Sequence, residues 1–118
     1  MKRDEFQALM QEQFDKLLEI NSSKGHDYAG DDDALDNFKR HSNNLGLTPE
    51  QIWAVYANKH WDAINTYCKE GDVASEPIEG RIDDALLYLF LLRGLVEERQ
   101  SSSVFAEEKL GLELGPEP

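Results

Sequence analysis

Three carboxylates, Glu76, Glu79 and Asp83, stand at i, i+3 and i+7 near the start of the stretch Ser75–Glu98. On a helix this spacing places all three along one side of the first two turns. Glu79 also precedes Ile82 and Leu86 by three and seven positions, so it faces partly inward. Carboxylates at the rim of a core need a partner, and a hard cation such as Mg²⁺ is one candidate. Charge complementing the helix dipole is the other explanation for Glu76 and Glu79.

A second group, Asn58, Lys59, Asp62 and Asn65, falls on one predicted helix, with Asn58, Asp62 and Asn65 on one face. An intrahelical Lys59–Asp62 ion pair would account for two of them. If that helix packs on the one carrying Glu79 and Asp83, Asp62 becomes a further metal ligand and Lys59 a phosphate contact or counter-ion. Lys59 stands among Ile52, Tyr56 and Ala63, on a largely apolar face. The third group is KGHDYAG, Lys24 to Gly30, followed by Asn37, Lys39 and Arg40. A glycine-bracketed loop carrying His26, Asp27 and Tyr28 could close on a nucleotide, or be a surface turn. His60 reads as a core or hydrogen-bonded histidine. The chain has no Gly-rich phosphate loop, nucleophile elbow or paired-histidine motif.

Helices must position these groups. Apolar residues recur at helical spacing in four stretches, and nothing alternates as a strand does. The first helix is expected from Arg3 or Asp4 to Ile20, with Phe6, Leu9, Met10, Phe14, Leu17 and Leu18 as its stripe. Gly25 to Gly30 is expected to be loop. Asp31 to Asp33 then offer N-cap charges to a short second helix with Ala34, Leu35, Phe38 and Leu45 on its apolar face, ending near Gly46. Thr48-Pro49-Glu50-Gln51 is a capping box with proline at the first helical position. The third helix runs from there to about Lys69, with Ile52, Trp53, Val55, Tyr56, Ala63, Ile64 and Tyr67 as core. The short link after it makes helices three and four antiparallel neighbours. Ser75 is the expected N-cap of the fourth helix, which is apolar almost all round and so predicted central and buried. The expectation is an all-α, four-helix bundle-like single domain over residues 1–100, with a partly ordered C-terminal tail over 101–118.

At 118 residues with a net charge of −12, the chain is one domain that disfavours nucleic acid polymers and anionic membranes as partners. One cysteine, Cys68, excludes an internal disulfide and a cysteine-based zinc site, and is read as a small buried hydrophobe. The N-terminus lacks the apolar segment of a signal peptide, and no apolar run is long enough to span a bilayer, so a cytoplasmic location is expected. Excess apolar residues on helix four and in the tail favour association over a lone monomer.

The pieces KGHDYAG, DNFKR, NKHWDAI and SEPIEGRIDDALLYLFLL, in that order, resemble the all-α nucleoside triphosphate pyrophosphohydrolase superfamily of MazG and the dimeric dUTPases. They are most similar to its small phage branch of nucleotide-modification-associated domains. The resemblance implies a helical bundle that assembles as a homodimer or homotetramer and cleaves a nucleoside triphosphate to the monophosphate and pyrophosphate, in the host cytoplasm if phage-encoded. It implies Mg²⁺ (or Mn²⁺) held by paired carboxylates: Glu79 and Asp83, with Glu76 as a third ligand and Asp62 from the facing helix. Here Glu79 and Asp83 are four apart where the family pattern has three, and Asp62 stands alone where it has a second pair. Glu79 would orient or deprotonate the attacking water, and Lys59 would hold a phosphate. Lys24, Asp27, Tyr28 and Asn37 would complete the substrate pocket. Two other functions fit the same residues: nucleotide capture without turnover, and an acidic module that binds a protein.

Overall fold

The computed structural model describes residues 1–28, 33–72 and 77–114, with side chains over 1–22, 33–72 and 77–102. It is an all-α single domain, and the described residues form four helices: α1 (Arg3–Tyr28), α2 (Asp36–Leu45), α3 (Pro49–Glu70) and α4 (Ile78–Leu114). Among the described residues there is no strand, and no helix is long and apolar enough to cross a membrane.

The caps written in the sequence at both ends of α3 and at the end of α2 are observed. The Gln51 amide donates to Thr48 Oγ1 at 3.2 Å, and the Thr48 amide donates to the Gln51 side chain at 2.8 Å. Pro49 opens the helix where no backbone donor is needed. Gly71 closes α3 at φ 76°, its N–H donating to the Tyr67 carbonyl. Gly46 closes α2 in the same left-handed conformation, at φ 69°. A side chain other than glycine is strained at such angles, so these two residues fix where the chain turns.

The core lies where α2, α3 and α4 meet. Leu35, Phe38, Ile52 and Leu95 are buried together, and Trp53, Tyr88 and Leu91 pack against them. The Phe38 ring meets Tyr88 edge-on at 6.3 Å. The Trp53 indole N–H donates to the Tyr88 carbonyl at 2.6 Å, a side-chain bond that stitches α3 to α4.

Several expectations need correction. The backbone of α1 continues through Gly25 to Tyr28, so the first part of the expected loop is helix. The N-cap position of α2 is Leu35, which has no side-chain cap. Asp33 instead accepts the Leu35 amide at 2.9 Å and the Lys39 ammonium at 2.7 Å. That pair holds the Asp33 carboxyl below its ordinary range, through Lys39 first and the Leu35 amide second. Asp31, Asp32 and Ser75 lie outside the described residues. Helix α4 does not end near Gln100 but continues to Leu114. Nor is it buried all round: Ala85 and Leu95 are inside, while Ile82, Leu89 and Phe90 are exposed. Leu45, Val55, Tyr56 and Tyr67 are exposed as well, and so is Cys68. Along α1 only Leu17 of the expected stripe is buried.

Candidate functional site

Two registers place the candidate residues. Between α3 and α4, Trp53 reaches Tyr88, and seven residues further along α3 His60 reaches back to Asp84. Between α1 and α4, the Phe14 ring meets Phe90 edge-on at 6.2 Å, while Lys16 meets Asp83. Contacts that advance along α1 or α3 retreat along α4, so both helices run antiparallel to it. The turn of α1 that follows Lys16 therefore comes level with the first turn of α4. Side chains of Lys24, Asp27, Tyr28 and Glu76 lie outside the described residues.

Adjacent carboxylates on α4 serve different helices. Asp83 is only 6% exposed, and the Lys16 ammonium of α1 stands 2.8 Å from its Oδ2. A buried carboxylate needs such a counter-ion, because desolvation otherwise penalises its charge. The same contact raises the Lys16 pKa, through its hydrogen bond to Asp83 and then its attraction to that charge. Asp84, one residue and about 100° further round the helix, turns to α3. Its Oδ2 stands 4.0 Å from His60 Nδ1, longer than a direct hydrogen bond but close enough for electrostatic coupling. His60 is 4% exposed, and its ring lies 4.8 Å from that of Tyr88. Burial, then the Asp84 charge and Tyr56, push the Tyr88 hydroxyl above its ordinary value.

The expected metal set does not assemble among the described side chains. Asp62 and Lys59 are exposed on α3, and Asp62 sits about 200° round the helix from His60, away from the α4 seam. Exposure of Lys59 corrects its expected place on an apolar face. Glu79 is exposed, and Asp83 already holds an ammonium. No group of three metal-capable side chains occurs among the described residues. Asn37 accepts a 2.7 Å hydrogen bond from Arg40, which keeps its amide on α2.

The His60–Asp84 pair was not singled out from the sequence. Its signal was present: Trp53, Ala57, His60 and Ile64 recur at i, i+4, i+7 and i+11, the stripe that faces α4. Asp84 precedes Tyr88 by one turn on the matching face. Compared with known proteins, the chain matches no family profile, no curated protein and no solved structure.

Proposed function

We propose that this protein binds a nucleoside triphosphate at the start of α4 and hydrolyses it to the monophosphate and pyrophosphate. One observation supports the reading. Antiparallel packing brings His60, in the stretch NKHWDAI, and Lys16 of α1 to Asp84 and Asp83, in the stretch SEPIEGRIDDALLYLFLL, so two of the four stretches that resemble the pyrophosphohydrolases meet there. The buried His60 beside Asp84 sets an imidazole and a carboxylate on the α3 side of that end. The Lys16 ammonium supplies a cation on the α1 side, the sign of charge that a polyphosphate requires.

Magnesium, which the resemblance implies, is not matched by Asp62, Glu79 and Asp83 as a common donor set, so no step is assigned to it. The chemistry left to the chain is orientation: cations hold the phosphates, and Glu79, exposed at the end of the bundle, is the carboxylate placed to orient water. Incubating the purified chain with each common NTP and dNTP, with Mg²⁺ or Mn²⁺, tests this by release of pyrophosphate. Release from at least one substrate is expected, and none from any of them rejects hydrolysis.

A second reading, capture of the nucleotide without turnover, is favoured by the Lys16–Asp83 contact. An ammonium already seated on the buried carboxylate neutralises it without a metal ion. Metal-independent binding with no product supports that reading.

A further inference from the structure

Helix α1 leaves its apolar stripe largely open. It touches α4 through its middle, at Phe14 and Lys16, and Leu17 beside them is buried. Phe6, Met10, Phe14 and Leu18 follow one another at four-residue steps, and each remains between 45% and 57% exposed. Such a row forms a single ridge along a helix. Leu9 is exposed beside it, and Phe90 of α4 is exposed where its ring meets Phe14.

We propose that this ridge is the interface with a second copy of the chain, with a two-fold axis at Met10. The order of residues argues for a copy over a foreign partner. Phe6 and Phe14 lie four positions either side of Met10, so the ridge reads Phe-Met-Phe in both directions. A two-fold interface requires such self-complementarity, because each residue meets its symmetry mate's counterpart. With two α1 helices antiparallel, Met10 meets the partner's Met10 and Phe6 meets the partner's Phe14. Lys2 then stands opposite the partner's Leu18, where its aliphatic stem covers the leucine while the ammonium stays in water.

The area is sufficient. Six large side chains, each of roughly 200 Å² and about half open, offer on the order of 600 Å² of apolar surface, against about 800 Å² per partner in a standard interface. Flanking polar residues of α1 supply the remainder as a rim. The proposal is independent of nucleotide binding.

Sedimentation velocity of the full chain with Met10→Glu and Met10→Lys variants tests it. The wild type is expected at twice the 13.5 kDa chain mass. Because two copies of net charge −12 repel, raising the salt concentration should tighten the dimer. Each variant alone places like charges on the axis and should weaken association about 100-fold or more while helical circular dichroism is unchanged. An equimolar mixture of the two should sediment as a dimer again, since only a residue on the axis meets its own counterpart. A wild type that stays monomeric at about 100 µM overturns the proposal. So does a dimer indifferent to both variants, or a mixture that stays monomeric.

Discussion

Asp83 and Asp84 are adjacent in α4 yet bind it to opposite neighbours, Asp83 to Lys16 of α1 and Asp84 to His60 of α3. One step along a helix turns a side chain by about 100°, so two consecutive carboxylates can brace three helices around one end of the bundle. Whatever binds at that end meets charges already positioned by the fold.

Removing Lys16 should therefore cost more than removing both partners. Lys16→Met leaves the Asp83 carboxylate buried without its ammonium, while Lys16→Met with Asp83→Asn leaves no charge behind. Urea denaturation should rank wild type and the double variant above Lys16→Met. Equal stability of the single and double variants would show that the ion pair does not couple α1 to α4. The sign with pH follows from the raised Lys16 pKa: the pair's contribution is full below 10.5 and is lost as pH rises through the higher folded value.

The Asp33–Lys39–Glu98 cluster ties the start of α2 to α4, with Lys39 2.7 Å from Asp33 and 2.9 Å from Glu98. Both contacts are partly solvated, so Asp33→Asn should cost only about 0.5–1 kcal/mol at pH 7. The Asp33 pKa is lowered, so its contribution is present above the ordinary value of 3.8 and lost as pH falls through the lower folded value. Stabilities of wild type and Asp33→Asn, measured from pH 7 to pH 2, should converge at the acid end. A gap that widens on acidification would contradict the assignment.

Gly80 lies in the first turn of α4, and a methyl group there would meet nothing within 4 Å. Gly80→Ala should stabilise the protein by no more than about 0.5 kcal/mol, because the full helix-propensity difference applies to a helix interior. At Gly94 an added methyl meets Leu35 at 3.6 Å, an ordinary contact, so Gly94→Ala should be neutral to stabilising. Chemical denaturation measures both; a loss of stability in Gly80→Ala would mean that this turn is packed against something in solution.

Phe38 anchors α2 among Leu35, Ile52 and Leu95. Phe38→Ala should cost about 3–5 kcal/mol, a large share of the stability of a domain this size. Trp53→Phe keeps most of the apolar surface and should cost only about 1 kcal/mol, the value of the indole hydrogen bond to Tyr88. Thermal melts that reverse this order would relocate the core.

Local chemistry made much of the fold legible in the sequence. The Thr48–Gln51 box and the glycines after α2 and α3 act within a few residues, so their positions follow from spacing alone. Periodicity separated the helices but could not say which face would be covered. It read Phe6 to Leu18 and Leu89–Phe90 as core, whereas burial depends on what else is present. Asp31 to Asp33 offered three capping candidates, and the described one, Asp33, was drawn instead to Lys39 and the Leu35 amide. At the candidate site, i, i+3 and i+7 spacing put Glu79 and Asp83 on one side of α4, but it could not reveal that α1 brings its own cation. Nor could it reveal that the seam with α3 uses Asp84 and His60 rather than Asp83 and Asp62. Those pairings are set by helix rotation, which only packing decides.

The most direct test of nucleotide binding at the start of α4 is calorimetric titration of the wild-type chain with a panel of NTPs and dNTPs, with and without Mg²⁺, repeated on Lys16→Met and Asp84→Asn. Saturable heat from at least one triphosphate is expected, weakened about tenfold or more by either substitution while the helical content is unchanged. No heat from any nucleotide in either condition, or affinity untouched by both substitutions, would contradict it.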